Sequence, residues 1–251
     1  MTTPIADIKL IGPRLCEVTV GESRRVYLTT RSAVGIALLQ EAMTESPVDA
    51  VSQCVWTDML ATHGVAIGVR PQERVVVAVI PEAKRTVKWT GPLYASAADA
   101  VGRPVTEQVL ELLFPPCLAM LKISATQQYL KGTLSCVKPD AVKTLSVQSD
   151  AHVLAPFPYG NVYTSGHRIC WGTVVHSTVN TVEALLQSFF QSGFNNDLFA
   201  AAVCGSRARN LPEMVQGAVT VNGTPVLPVA AAYFTTSMAA QVQLVQNSTT
   251  A

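Results

Sequence analysis

The run Arg74-Val75-Val76-Val77-Ala78-Val79-Ile80 constrains the fold more than any other stretch of this chain. After Arg74 it is continuously apolar and rich in β-branched residues. Such a run suits a strand covered on both faces, so the chain needs a sheet with this strand in its interior. Strand-like segments surround it. Ile8–Val20 and Arg25–Thr30 alternate apolar and polar residues around Gly12-Pro13 and Gly21-Glu22, which predicts a meander. Val65–Val69 leads to the central run through the turn Arg70-Pro71-Gln72-Glu73. Arg85–Trp89 alternates after it and extends the sheet, and Gly91-Pro92 breaks the pattern.

Helical signals are fewer. Ser32 is placed to cap a helix with Val34, Ile36, Leu38, Leu39 and Met43 on its apolar face, stopped by Pro47. In Ala50–Leu60, which is ambiguous, Val51, Val55, Met59 and Leu60 fit a short helical stripe, with Cys54 and Trp56 as core residues. Pro104 followed by Thr106, Val109, Leu110 and Leu113 predicts a helix over Thr106–Phe114. Pro115-Pro116 then starts a strand at Leu118–Ile123, and Tyr129–Val137 pairs with it as a hairpin. Lys138-Pro139-Asp140 turns the chain toward a third strand at Lys143–Val147. Thr178 or Asn180 can cap a helix over Val182–Ser192, with Leu185, Leu186, Phe189 and Phe190 buried and Glu183 in the first turn. Arg207, Arg209 and Pro212 mark a loop. Val219–Val226 carries Asn222-Gly223 at its centre, a hairpin signal, and the polar tail Val245–Ala251 is expected to fray. The expected class is α+β: an antiparallel sheet meander flanked by helices.

Composition narrows the function. The chain has 251 residues, enough for a proper core in one large domain or two small ones. Hydrophobic residues make up 49% and charged residues 14%, so the surface is apolar enough to expect a protein partner or a homo-oligomer. The net charge of +1 gives no reason to expect nucleic acid or an anionic membrane. No apolar run approaches the ~20 residues of a membrane span, and Met1–Asp7 does not read as a signal peptide. The six cysteines are scattered without a C-x-x-C pair, so no metal site is expected; their apolar settings suit a reduced, cytoplasmic protein. The glycines match no nucleotide fingerprint, and no cofactor is expected.

One stretch reads as a site: Ala155–Val175, APFPYGNVYTSGHRICWGTVV. Pro156, Pro158, Gly160, Gly166 and Gly172 favour irregular backbone, which can hold a cysteine at a surface. Asn161 lies nine positions before Cys170. A thiolate is a nucleophile, and a side-chain amide can donate to an oxyanion that forms beside it. The ordinary alternatives are a buried Cys170 and an Asn161 that bonds its own turn. His167 stands three residues before Cys170 and His176 six after it, so either is a candidate to assist the thiol.

Asn161-Val162-Tyr163-Thr164-Ser165-Gly166-His167-Arg168-Ile169-Cys170 resembles the active-site stretch of ubiquitin-conjugating enzymes, where His-Pro-Asn, a turn with Gly and an Ile/Val-Cys pair follow in that order. The pattern Ala155-Pro156, Asn161-Val162-Tyr163, Gly166, Cys170, Gly172 is closer to a bacterial branch, the prokaryotic ubiquitin-conjugating-like family of protein B of the plasmid-associated PRTRC system. Phe114–Leu118 and Tyr129–Leu134 resemble two central strands of that branch, and Ser188–Phe194 resembles its helix after the cysteine. The resemblance spans residues 75–200. Three departures stand out: Tyr159-Gly160 replaces His-Pro, the gap from Asn161 to Cys170 is one residue longer than in the eukaryotic enzymes, and Asn195-Asn196-Asp197 follows Phe194 where the bacterial branch has a Thr-His pair.

The resemblance implies a ubiquitin-conjugating-like core over 61–200, an N-terminal strand–helix extension over 1–60 that either joins the same sheet or stands apart, and a C-terminal extension over 201–251. It implies that Cys170 accepts a small ubiquitin-like protein as a thioester from a ThiF-like activating enzyme and passes it to an amine or a second carrier. Asn161 would then stabilise the oxyanion, with His167, His176 and Tyr159 as candidate assisting residues. Two other readings remain open: an inert scaffold of the same fold that binds a partner, suggested by the missing His-Pro pair, and a cysteine hydrolase using Cys170 with His167 or His176.

Overall fold

The computed structural model describes residues 7–10, 15–20, 25–30, 55–70, 73–91, 106–124, 129–171 and 182–247. The helix expected after Ser32, and the residues Val51, Cys54 and His176, lie outside them. The chain divides into two units, Met1–Thr57 with Ile67–Gln72, and Asp58–Ala66 with Glu73–Ala251.

In the first unit, β1 (Asp7–Leu10), β2 (Leu15–Val20) and β3 (Arg25–Thr30) form the expected antiparallel meander, with Val18 opposite Tyr27 and Ile8 opposite Val18. The helical stripe around Val55 and Met59 is not formed: Val55–Met59 is strand β4, and only Leu60–His63 is helical, as α1. Strand β5 (Val65–Arg70) is the sheet neighbour of β4, and the boundary between the units runs through both strands. Trp56 explains Gly68. A Cβ there would come within 2.8 Å of the indole ring, so the ring lies directly on backbone.

The second unit contains β6 (Glu73–Ile80), the apolar run, as an interior strand of its sheet. It pairs antiparallel along its whole length with β9 (Cys117–Ser124). Strand β9 in turn pairs with β10 (Tyr129–Val137), the expected hairpin. The other edge of β10 takes β11 (His152–Pro156), which pairs with the short β14 (Thr236–Ser237). A second sheet has the order β12-β13-β8-β7, from β7 (Ala83–Gly91), β8 (Thr106–Phe114), β12 (Val219–Val221) and β13 (Thr224–Val226). Its β13–β8 contact is parallel, while β12–β13 and β7–β8 pair antiparallel.

Four expectations differ from the structure. Thr106–Phe114 is strand β8, not a helix. It pairs with all of β7, and its period-two pattern sends Leu112 and Phe114 into the core while Glu107 and Glu111 pair with Lys88 and Lys84 outside. Arg85–Trp89 therefore builds a second sheet rather than extending the first. Lys143–Val147 is not a strand. Pro139–Thr144 is a 3₁₀ helix, and Asp58 captures the backbone N–H of Val147 and the hydroxyl of Ser146. The tail does not begin to fray at Val245. Helix α4 (Met238–Asn247) continues past it and buries Met238, Val242 and Val245 completely or nearly so.

Both sheets and α2 (Val182–Gln191) contribute to one core. At its centre Phe114 and Phe157 each meet Tyr159 edge-on at 4.9 Å, and Phe157 meets Phe189 edge-on at 5.8 Å. Each such side chain, fully buried, contributes about 2 kcal/mol of hydrophobic transfer. Residues 201–247 are built into this unit. Asn210 caps α3 (Leu211–Gln216) by accepting from the Glu213 N–H, β13 joins β8, and β14 joins β11. Among the described residues no helix is long and apolar enough to cross a membrane.

Candidate functional site

Strand β11 ends at Pro156 and delivers the chain into the loop 157–171. Phe157 and Tyr159 enter the core first. Tyr159 is fully buried and its hydroxyl donates to the Leu227 carbonyl at 2.7 Å, so it is a core residue and not an assisting group at a surface thiol. Burial also pushes its phenol well above the usual range. Gly160 follows with φ 112°. A Cβ there would stand 3.1 Å from the Asn195 carbonyl oxygen, so close approach and backbone conformation both require glycine.

The loop then folds back on itself. Asn161–Tyr163 and Arg168–Cys170 form a miniature antiparallel ladder: Tyr163 N donates to Arg168 O at 2.9 Å, Val162 bridges Ile169, and Cys170 N donates to Asn161 O at 2.8 Å. Asn161 and Cys170 are therefore brought directly opposite each other across the glycine-containing turn. Gly166 and His167 close the turn with φ of 68° and 54°.

The returning limb rests on β10. Leu134 N donates to His167 O and Ile169 N donates to Gly132 O, both at 2.9 Å, with Arg168 bridging Thr133. Strand β10 thus divides one edge between β11 at Ser135–Val137 and the Cys170 limb at Gly132–Leu134. On the other side of the turn, Gln241 of α4 donates to the Gly166 carbonyl at 3.1 Å.

His167 is buried, and its Nδ1 shares a 2.6 Å hydrogen bond with Ser135 Oγ on β10. Desolvation lowers its pKa to about 4, so the ring is neutral near pH 7. Its observed role is to fasten the turn. Arg168, by contrast, is exposed and stacks its guanidinium over Tyr163 at 4.5 Å.

The Asn161 side chain does not point its amide hydrogens into free space. Nδ2 donates to the Gly193 carbonyl at 2.9 Å and to Ser192 Oγ at 3.3 Å, and Ser192 Oγ itself donates to the Phe189 carbonyl. The amide ties the loop to the C-terminal end of α2. Neither Ser192 nor Gly193 is visible from the Asn161 spacing, because they lie more than thirty positions along the chain; Gly193 also packs against Thr90, where a Cβ would meet Oγ1 at 2.7 Å.

Cys170 is a free, half-buried cysteine. Its neighbours Ile169 and Trp171 anchor it, Ile169 by burial and Trp171 by an edge contact with Phe189 at 5.9 Å. Among the described residues no hydrogen bond to its Sγ is formed. Beside the turn lies a surface hollow of about 290 Å³ lined by Tyr163, Thr164, Ser165, Asp197, Leu198, Phe199 and Ala200. The Asn195-Asn196-Asp197 segment therefore borders the loop, with the Asp197 N–H donating to Asn195 Oδ1. Among the described residues no three metal-ligating side chains converge.

The arrangement can present one partly accessible thiol on a hairpin that is held along β10, at its turn and at the end of α2. Compared with family models, curated proteins and solved structures, the chain matches none.

Proposed function

We propose that the chain is a ubiquitin-conjugating-like carrier in which Cys170 accepts a small ubiquitin-like protein as a thioester from a ThiF-like activating enzyme and passes it to an amine or a second carrier. One observation carries the reading: Cys170 is the half-buried free thiol on a loop whose backbone is pinned opposite Asn161 and along β10. Exchange between a thioester and a thiol is nearly balanced in energy, so such a carrier needs little beyond an accessible, well-held sulfur. The order of elements also fits: antiparallel strands, the cysteine loop, then α2.

In this reading Asn161 acts first by holding the loop to Ser192 and Gly193. Work on an oxyanion would require its amide to leave one of those acceptors. The test is a loading assay with ATP, a ThiF-like activating enzyme and its ubiquitin-like protein, read on a non-reducing gel. A thiol-sensitive band that Cys170→Ala removes is the expected result. Loading unchanged in Cys170→Ala overturns it.

The engagement of both Asn161 amide hydrogens favours a second reading, an inert scaffold of the same fold that binds a protein partner. It predicts that Cys170→Ala forms the same complexes and that a charged activating enzyme never transfers its cargo. A cysteine hydrolase using His167 has less support, because that ring is fastened to Ser135.

A further inference from the structure

We infer that Cys117 and Cys136 form a disulfide site across β9 and β10, separate from Cys170 and independent of the carrier reading. The register places these two residues directly opposite each other. Val137 N donates to Pro116 O at 2.8 Å, which makes the neighbouring pair, Val137 and Pro116, the hydrogen-bonded one. Because the two kinds of pair alternate along an antiparallel ladder, Cys117 and Cys136 occupy a non-hydrogen-bonded position. There the Cα atoms of opposed residues approach to about 4.5 Å, within the ~4.4–6.8 Å that a disulfide spans. Both side chains face the same core cluster, and the Cys117 thiol donates to the Pro115 carbonyl at 3.3 Å.

Both residues are at most 1% exposed and both are free thiols here. The ordinary alternative is that they are small apolar fillers, since buried cysteines usually are. A filler, however, has no need to occupy both members of a directly opposed pair whose backbone spacing suits the bond. Burial opposes thiolate formation at Cys136, so closure is slow in the folded chain and easier during folding.

The reaction is thiol–disulfide exchange with a low-molecular-weight disulfide. The first cysteine thiolate attacks it, forms a mixed disulfide and expels one reagent thiolate. The second cysteine thiolate attacks the first cysteine's sulfur and expels the other. Two S–H bonds are replaced by one S–S bond, the protein loses two electrons, and the two protons end on the two released reagent thiols. The product ties the start of β9 to the end of β10, the strand on which the Cys170 loop rests. A third thiol, Cys204, is half-buried nearby and donates weakly to the Leu227 carbonyl at 3.8 Å. It is the competitor for Cys136.

The experiment refolds the reduced full-length chain in reduced and oxidised glutathione, quenches with acid, alkylates and maps tryptic peptides. The expected product joins the peptide ending at Lys122 to the one beginning at Gly132, with two hydrogens lost, and its thermal midpoint lies above that of the reduced chain. Cys170→Ala keeps the link, so failure of the carrier reading leaves this result untouched. Cys117→Ser loses it; should that variant not fold, the wild-type map alone decides. Folded product with Cys117 and Cys136 both alkylated, or with Cys136 joined to Cys204, overturns the assignment.

Discussion

The side-chain amide of Asn161 donates to the Gly193 carbonyl at 2.9 Å, so the residue opposite Cys170 is fastened to the end of α2. Asn161 also adopts φ 59°, a conformation that asparagine tolerates better than most residues. Asn161→Ala removes both amide bonds and adds left-handed strain. The expected cost is about 2 kcal/mol, or a thermal midpoint about 4–8 °C lower. Asn161→Gly relieves the strain but not the lost bonds, so it falls between the two. A pure oxyanion donor would leave the midpoint unchanged in Asn161→Gly and lowered only by the backbone strain in Asn161→Ala, and thermal unfolding alone separates these outcomes.

His167 gives a pH dependence with a defined sign. Its folded pKa, lowered to about 4 by burial, lies below the unfolded value of about 6.5. Between these values the unfolded chain binds the extra proton, so stability falls as pH drops through the window and levels off below about 4. The full effect is about 3 kcal/mol. His167→Asn suits the φ of 54° and removes the titration. Denaturant unfolding from pH 4 to 7 checks it: the variant loses the part of the slope that the wild type shows in this window. An equal slope in both proteins would assign the dependence to other groups.

Much of the fold was legible where the signal is local. The β9–β10 hairpin, the Asn222-Gly223 turn and α2 follow from alternation, turn chemistry and an amphipathic stripe. Thr106–Phe114 was misread because Val109, Leu110 and Leu113 mimic a helical face. Val109 is in fact 74% exposed on a strand, and what decides the segment is pairing with β7, a contact no local pattern encodes. Val245 looked like part of a polar tail because its burial depends on a sheet far away in sequence. The site divides the same way. The prolines and glycines mark an irregular loop holding Asn161 and Cys170, while the backbone pairing that opposes them and the partners that fix the side chains, Ser192, Gly193 and Ser135, come from the tertiary fold.

Lys122 tests how α4 is held. Its ammonium, 7% exposed, sits 2.7 Å from the Glu73 carboxylate and donates to the Gln246 carbonyl near the end of α4 at 3.3 Å. Removing one partner leaves the other charge buried. Lys122→Ala is therefore expected to cost about 3 kcal/mol or more, while Lys122→Met combined with Glu73→Leu, which keeps volume and removes both charges, costs far less. A double-mutant cycle by denaturant unfolding measures the difference. Additive single-site costs would show that the pair is not coupled.

Gly160 and Gly223 separate backbone strain from crowding. Both have positive φ, 112° and 76°. At Gly223 a Cβ meets nothing within 4 Å, so Gly223→Ala carries conformational strain alone, about 1 kcal/mol. At Gly160 the same Cβ stands 3.1 Å from the Asn195 carbonyl oxygen and 3.6 Å from the Phe194 ring, both parts of the segment that follows α2. Its φ also lies further from the left-handed well. Gly160→Ala therefore adds displacement of that segment to the strain, about 2–3 kcal/mol in all. Because Asn161 is bonded to Gly193 in the same segment, the displacement also loosens the loop that carries Cys170. Alkylation of Cys170 by a thiol reagent should quicken in Gly160→Ala and stay unchanged in Gly223→Ala. Equal alkylation rates in the two variants, both folded, would break the link drawn between Gly160, the end of α2 and the accessibility of Cys170.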